Sequence, residues 1–339
     1  MLTLPAVFAR HQAEIDAEIR SVLDERQSPL YDMMRYHFGW MDDKGSPQCA
    51  PNGKAVRPTL CLVACRAVGG DAKRALPAAA AVELVHNYSL IHDDIQDDDR
   101  ERRHRPTVWS VWGKPQAINA GTAMRMLANC AVRKLDVPSK TRLHIQSLLD
   151  EATIRLIEGQ YLDIDYESQF DITVEDYFEM VGGKTASLFA CALEIGSAMG
   201  TGQTEYVRAF REFGWNLGMA FQLRDDILGT WGQTADTGKP SCNDIRRRKK
   251  TLPVVYALQN AVGSQRERLL ENYRGPSVDE SSIHEVLTVL EEVDALEEAM
   301  RLAKSFLERA TDSIASLSLD ADASQDINDV VGFLENRRF

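Results

Sequence analysis

A helix-forming stretch that ends in a dense group of aspartates is the feature that most constrains this 339-residue chain. The run from Ala79 to Val85 strongly favours an α-helix, and Pro77 ahead of it predicts that the helix begins near that residue. Five aspartates follow within the seven residues from Asp93 to Asp99. Carboxylates at the C-terminal part of a helix oppose its dipole, so solvent or cations must offset their repulsion.

The first of these aspartates have a spacing that suits a metal ion. Asp93 and Asp97 lie four residues apart and share one face of the predicted helix, with Asp94 beside them. Three carboxylates directed the same way fit Mg²⁺, which prefers oxygen ligands and bridges to phosphates. For an isolated DDxxD pattern the commoner outcome is a solvated acidic helix end, and other segments must decide between the two.

A second apolar stretch ends in the same way. Gln222 begins a segment that closes with Asp225 and Asp226, and it resembles the segment from Ser89 to Ile95. The likeness predicts two facing helices that each present a carboxylate pair, although it is too short to indicate a duplication.

Basic residues accompany both acidic segments. Cations at a helix start or at a glycine break are easier to understand if an anion binds there, although solvated surface charges, salt bridges or a snorkelling lysine are open alternatives. The five consecutive cations from Arg246 to Lys250 are either a solvated face or a wall opposite the carboxylates. The basic candidates are Lys54, Arg57, Arg102, Arg103, Lys184, Lys239 and Lys249.

The remaining pattern predicts an all-α protein. Strand-like alternation is missing almost everywhere, and no linker is long enough to divide the chain, so we expect one large helical domain over residues 1–339. Thr173 and Asp176 predict a capping box for a helix that runs to the glycine break at 182–183. A loop is expected over 41–53. Helices are expected over 6–23, 59–68, 139–166, 186–199, 282–290 and 294–317.

Composition excludes some classes of protein. The net charge of -12 and the pI of about 5.1 argue against nucleic-acid binding, because no basic excess is available to pair with phosphates. Six cysteines without a CxxC pair suggest reduced thiols, and neither a signal peptide nor a membrane-spanning run is apparent. We therefore expect a cytoplasmic protein.

Carboxylate pairs and interleaved cations on apolar helices describe a pocket that holds diphosphates through Mg²⁺. The apolar helix surfaces below the aspartates would then accommodate a hydrocarbon tail. A hydrocarbon with a diphosphate head is an isoprenoid.

Four motifs in the same order resemble the trans-type isoprenyl diphosphate synthases, or polyprenyl synthetases, from about Gly53 onward. The DDIQD segment at 93–97, with Arg102-Arg103 and Pro106-Thr107, is similar to the family's first aspartate-rich motif and its RRGxPT tail. The GKAVRP segment at 53–58 resembles GKRxRP, and Lys184-Thr185 resembles the KT pair. Gln222 with Asp225-Asp226 resembles the second aspartate-rich motif.

The resemblance implies a metal site and two diphosphate sites. Asp93, Asp97 and Asp225 would ligate three Mg²⁺, supported by Asp94 and Asp226. An allylic diphosphate (dimethylallyl, geranyl or farnesyl) would bind Arg102, Lys184, Lys239 and Lys249. Isopentenyl diphosphate would bind Lys54, Arg57, His86 and Arg103. Thr185 and Gln222 would stabilise the allylic cation. The family also implies a homodimer.

Three positions depart from the family pattern. Ala55 replaces the first arginine of GKRxRP, His104 replaces the glycine of RRG, and Gly229 stands where many members have a third aspartate. These departures bear on affinity and metal stoichiometry more than on activity.

Tyr88, five residues before Asp93, and its neighbour Ser89 are candidates for the floor of the tail pocket. An aromatic residue there would block elongation, which predicts a linear C20 product, with C15 as the next possibility. A class I terpene cyclase is the main alternative, although it would have no use for the second diphosphate site. A helical HD-type phosphohydrolase using His86, His92 and Asp93, and a non-catalytic subunit of a heteromeric synthase, are two further alternatives.

Overall fold

The computed structural model describes residues 5–50, 53–232, 242–275 and 278–336, and within these ranges almost all regular structure is helical. The helices are α1 (Ala6–Leu23), α2 (Pro29–His37), α3 (Val56–Ala67), α4 (Ala72–Gln96), α5 (Val108–Trp112), α6 (Lys114–Arg133), α7 (Ser139–Tyr166), α8 (Val174–Val181), α9 (Ser187–Gly200), α10 (Thr204–Trp231), α11 (Asn243–Arg246), α12 (Leu252–Asn260), α13 (Ser264–Arg274), α14 (Glu280–Glu292), α15 (Ala295–Ile314) and α16 (Ala321–Asn336). A two-residue hairpin pairs β1 (Glu101–Arg102) with β2 (Arg105–Pro106).

Helix α4 carries the first aspartates on its last turn, as predicted, but it begins earlier than expected. Its N-terminus is capped by Asp71, whose side chain accepts a hydrogen bond from the Lys73 backbone N–H. Pro77 is therefore inside the helix, not at its start. The expectation was wrong because a capping aspartate set the start, and a proline within the first two turns did not end the helix.

The segment from Val174 to Gly200 is continuous where a glycine break was expected. The predicted capping box of Thr173 and Asp176 opens α8, and a π-helix (Gly182–Ala186) then leads directly into α9. A Cβ at Gly183 would come within 2.7 Å of the Arg155 carbonyl oxygen of α7. These glycines thus allow close packing of two backbones and do not interrupt the chain.

The centre of the fold consists of helices that are buried on most sides. Helix α4 packs against α3 and α6, α9 packs against α3 and α10, and α10 packs against α15. Small residues make the close approach possible: Ala78, Ala79, Ala80 and Ala81 are all buried on α4. Lys184 of the π-helix connects the two acidic segments, because its charge acts on Asp93 of α4 and it lines a cavity together with Asp225 of α10.

Helix α2 was missed by the sequence pattern, although Ser28 caps it and Pro29 occupies its first turn. Of the six cysteines, Cys61, Cys65 and Cys191 are buried, and none forms a disulfide. No helix among the described residues is both long and apolar enough to cross a membrane.

Candidate active site

A cavity of about 440 Å³ extends from the end of α4 along the gap between α6 and α7. Asp93 and Gln96 of α4 line it, as do Tyr88, more than one turn earlier on α4, and Arg125 of α6. Leu156, Ile157 and Ile164 of α7 contribute to an apolar wall. The arrangement fits an elongated apolar group with its polar head near the aspartates.

The two residues of the first aspartate pair differ in their exposure to solvent. Asp93 is partly exposed toward the cavity, and burial raises its pKa to about 6. Asp94 is 1% exposed, and Arg102 Nε donates to its Oδ1 over 2.7 Å. The other oxygen of Asp94, Oδ2, is buried and accepts no hydrogen bond from the described residues.

The two residues of the second pair differ in the same way, and the buried one is more fully hydrogen-bonded. Asp225 is exposed, whereas Asp226 is 5% exposed and accepts three hydrogen bonds. Tyr177 Oη donates over 2.5 Å and the Leu252 backbone N–H over 2.9 Å, both to Oδ2, and Gln222 Nε2 donates to Oδ1 over 2.9 Å. Burial raises the pKa of Asp226 to about 7. Both of its oxygens are already used by the protein.

Thr185 joins the same hydrogen-bonded network. Its hydroxyl on the π-helix donates to Gln222 Oε1 over 2.9 Å, which fixes the orientation of the Gln222 amide toward Asp226. Thr185 and Gln222, predicted from separate motifs, are thus in direct contact.

Lysines stand between the acidic helices. Lys184 forms an ion pair with Asp163 of α7; burial lowers its pKa, but Asp163 and Asp93 outweigh that effect, so the net pKa is raised. Lys249 Nζ lies 3.7 Å from Asp97 Oδ2. Arg247, two residues earlier, pairs with Asp99 over 2.6 Å. Part of the basic run therefore faces the end of α4.

A separate cationic cluster lies beside α4, one to three turns before the aspartates. Arg57 Nη1 lies 3.4 Å from His86 Nε2, and because arginine can only donate, this histidine nitrogen accepts. Burial, followed by the charge of Arg57, lowers the His86 pKa well below its usual value. Arg103 lies against Gly53, where a Cβ would approach its Nη2 to 2.7 Å. Buried Glu83 is near both arginines.

Lys54 differs from the other members of its predicted set. It is exposed and lines a small apolar groove with Phe8 and Phe189 and with Phe333 of α16. Lys239 lies outside the described residues, as do the terminal arginines at 337 and 338.

The two candidate floor residues, Tyr88 and Ser89, are buried and both line the cavity. The Tyr88 ring packs edge-on against His92, with centroids 5.5 Å apart. Ser89 Oγ donates to the His86 carbonyl oxygen over 2.8 Å.

The three departures from the family pattern lie at positions with unusual local geometry. A Cβ at Gly229 would overlap the Asp244 carboxylate, so a side chain at this position would require Asp244 to move. Ala55 and His104 have φ of 46° and 60°, the left-handed region in which glycine is favoured. Both positions therefore carry backbone strain.

The accessible aspartates of this site suit a hard divalent cation in chemical type, because Asp93, Asp97 and Asp225 offer carboxylate oxygens. Among the described residues, no three His, Cys, Asp or Glu side chains are yet grouped closely enough to hold a metal. Lys184 and Lys249 pair with acidic side chains in that space.

Sequence reasoning missed Asp163, Tyr177 and Asp244. Asp163 had only a weak signal, because it is one of several acidic residues in the run from Ser139 to Tyr166. Tyr177 and Asp244 had none, because their roles depend on contacts with distant residues.

Comparison with known proteins identifies the family. The sequence pattern of the polyprenyl synthetases matches residues 40–290. The chain belongs to the polyprenyl synthetase family. This polyprenyl synthetase is 35% identical to (2E,6E)-farnesyl diphosphate synthase of Mycobacterium tuberculosis, over 99% of this chain and 94% of that one. It is 40% identical to geranylgeranyl diphosphate synthase of the same organism, over 85% of this chain and 82% of that one.

A solved structure agrees with the sequence comparison. The crystal structure of polyprenyl synthetase from Streptomyces coelicolor A3(2) matches with a TM-score of 0.91 and 35% identity, over 97% of this chain and 98% of that one. The predicted family, the all-α fold and the assignment as a prenyltransferase enzyme are thereby confirmed. The family match favours the synthase over the phosphohydrolase and over the terpene cyclase.

Proposed function

We propose that this polyprenyl synthetase condenses isopentenyl diphosphate with an allylic diphosphate to give a linear all-trans prenyl diphosphate, chiefly C20 and secondarily C15. The observation that carries the proposal is the 440 Å³ cavity that is lined by Asp93, by an apolar wall and by Tyr88. An apolar cavity beside an acidic site matches a tail with a diphosphate head.

Asp93, Asp97 and Asp225 are the proposed ligands of Mg²⁺, with three ions expected. When bound, Mg²⁺ neutralises the diphosphate leaving group. Asp94 supports this site by orienting Arg102, whereas Asp226 supports it by holding Gln222 and Tyr177 in place. Asp244 supplies the carboxylate that the sequence lacks at Gly229.

The basic side chains form two sets, one for each diphosphate. Lys184, Lys249, Arg102 and Lys239 are the proposed contacts of the allylic diphosphate, and the first two already lie among the aspartates. Isopentenyl diphosphate is assigned to the cluster of Lys54, Arg57, His86 and Arg103. Because the pKa of His86 is depressed, its imidazole is neutral at pH 7 and can either donate or accept a hydrogen bond.

The reaction breaks the allylic C–O bond and leaves an allylic cation. Thr185 and Gln222 present oxygen atoms to that charge while the cavity wall excludes water. The double bond of isopentenyl diphosphate then forms the new C–C bond, and the departing pyrophosphate accepts the proton that is lost.

The direct test is to incubate the protein with Mg²⁺, isopentenyl diphosphate and, separately, C5, C10 and C15 allylic diphosphates, and to determine product length. We expect a linear C20 diphosphate, no product from Asp93→Asn, and near-normal product from the control Asp98→Asn, whose exposed carboxylate pairs with Lys114. Tyr88→Ala should lengthen the product. A cyclic hydrocarbon formed without isopentenyl diphosphate would instead establish a cyclase.

We also propose a cytoplasmic homodimer. Seven of the nine exposed large apolar residues in the described part of the chain lie on α6 or α7, which suggests a face covered by a second copy. Free cysteines suit a reducing compartment. Light scattering should report a dimer, which Leu143→Glu on this face dissociates and Val262→Glu, equally exposed elsewhere, does not.

A further inference from the structure

The far end of the tail cavity is charged, although its walls are largely apolar. Among the described residues that line the cavity, Asp93 and Arg125 are the acidic and the basic side chain. Asp93 is near Lys184, which pairs with Asp163 of α7, whereas Arg125 pairs with Asp150 of the same helix. Thirteen residues of helix span about 20 Å, so the two charges are separated along the cavity. Asp93 has an evident use at the diphosphate end. Arg125, on α6, has none in the reaction as proposed above.

Arg125 is held in place by a network between α6 and α7. Its guanidinium forms an ion pair with Asp150 and donates to Asn129 Oδ1 over 2.6 Å. Gln146 Nε2 links the two acceptors, at 2.9 Å from Asp150 Oδ1 and 3.0 Å from Asn129 Oδ1. The Arg125 side chain is only 15% exposed, so this charge is fixed at the cavity wall and does not extend into solvent.

Tyr88 lies next to this charge. Burial raises the Tyr88 pKa to about 12, and the charge of Arg125 acts in the opposite direction. The Tyr88 hydroxyl is buried and makes no hydrogen bond within the described residues. Tyr88 and Arg125 are therefore neighbours in the lining of the cavity.

We propose that Arg125, anchored by Asp150, is a second determinant of product length: an ionic floor beside Tyr88 that rejects a longer hydrocarbon tail. The inference rests on the proposed synthase function. A tail that grows past Tyr88 must displace water from a paired guanidinium or separate it from its partners, and a hydrocarbon offers no compensating hydrogen bond. An aromatic ring alone would block a longer tail by its size, whereas the Arg125 network also blocks it through its charge.

The proposal predicts that each of the two residues is a separate obstacle to a longer tail. Tyr88→Ala alone removes the ring but leaves the Arg125 network, so it should allow limited elongation, and Arg125→Leu alone leaves the ring in place. The double variant removes both obstacles and should give longer products than either single change. Asp150 is about half exposed, so its carboxylate can be solvated when Arg125 is replaced.

The experiment compares the wild type with Tyr88→Ala, Arg125→Leu, Arg125→Met and the double variant Tyr88→Ala/Arg125→Leu. Labelled isopentenyl diphosphate and C15 allylic diphosphate are supplied, and products are separated by chain length. Arg155→Leu is the matched control, because Arg155 is an exposed arginine of α7 that pairs with Glu151 over 3.1 Å and does not line the cavity. Thermal melting establishes that each variant is folded.

We expect the ratio of C25 and longer products to C20 to rise about tenfold more in the double variant than in Tyr88→Ala, and to stay at the wild-type value in Arg155→Leu. Equal product lengths for Tyr88→Ala and the double variant, with both folded, would overturn the proposal. If Arg125→Leu is unfolded, Arg125→Met, alone and with Tyr88→Ala, provides the same comparison. A wild type that yields no prenyl product would contradict the synthase function itself, which is a distinguishable result.

Discussion

The two aspartate pairs look alike in sequence and differ in how the protein uses them. In each, the first member is accessible and the second is buried: Asp93 and Asp225 face solvent-filled space, while Asp94 and Asp226 are covered. Asp94 retains one unused oxygen, whereas both oxygens of Asp226 accept hydrogen bonds from protein groups. A repeated motif therefore does not imply a repeated role for each of its residues.

The difference follows from the neighbours of the two helices. At the end of α4, one arginine from the adjacent hairpin reaches Asp94. At the end of α10, the residues around Asp226 come from α8, α10 and the start of α12, so three donors converge on one carboxylate. Asp226 thereby ties three helices together, and Asp94 ties a single hairpin to α4.

The largest expected effect concerns Asp93 and Asp225, the accessible aspartates of the two pairs. Asp93→Ala and Asp225→Ala should each lower kcat by about 10³-fold, because each removes a carboxylate that stabilises the departing diphosphate through the metal. Their melting temperatures should stay near that of the wild type. Steady-state kinetics and calorimetry on the same preparations measure both quantities, and a large loss of stability would contradict the assigned roles.

The next effect separates the two buried members. Asp226→Ala should lower the free energy of unfolding by about 3 kcal/mol, because it leaves Tyr177, Gln222 and the Leu252 N–H without their acceptor. Asp94→Ala should cost about 1 kcal/mol, since the Arg102 side chain is 29% exposed and can be solvated. Denaturant unfolding measures both values. Equal losses would remove the distinction between the pairs.

A smaller effect tests how the second site compensates for a missing aspartate. Gly229→Ala should lower the free energy of unfolding by about 2 kcal/mol, because the new Cβ overlaps the Asp244 carboxylate. The double variant Gly229→Ala/Asp244→Ala should recover most of that stability in the same unfolding assay. If the double variant is no more stable than the single one, Asp244 is not the residue that requires glycine at 229.

The smallest effect concerns the hairpin that carries Arg102 of the first site. His104→Gly should change the free energy of unfolding by no more than about 1 kcal/mol, because relief of the left-handed strain is opposed by the greater freedom of glycine in the unfolded chain. Thermal melting of this variant, beside Ala55→Gly, measures the change. A loss well above that range would show that the imidazole itself makes a stabilising contact.

Periodicity and capping signals were enough to predict much of the fold. The bounds of α1 and α7 and the capping box of α8 agree with the pattern, because each depends on residues close in sequence. The start of α4 was misplaced because two local signals, Asp71 and Pro77, competed. The continuous π-helix was missed because Gly183 serves a contact with α7 that lies more than twenty residues away.

The candidate site shows the same limit. The motifs predicted which residue types meet, and Thr185 with Gln222 and Lys249 with Asp97 do lie together. They did not reveal that Asp226 is saturated, that Asp163 holds Lys184, or that Asp244 occupies the space at Gly229. Those contacts join residues that are distant in sequence, so no single segment predicts them.

The difference between the accessible and the buried aspartates is tested most directly by ligand-induced stabilisation. The measurement is the rise in melting temperature that Mg²⁺ with inorganic pyrophosphate produces in the wild type and in four variants: Asp93→Asn, Asp94→Asn, Asp225→Asn and Asp226→Asn. A ligand that binds only the folded state raises the melting temperature, so the rise reports binding without requiring turnover. We predict that the rise is lost in Asp93→Asn and Asp225→Asn, reduced in Asp94→Asn and retained in Asp226→Asn. An equal loss in Asp225→Asn and Asp226→Asn, with both proteins folded, would contradict the account.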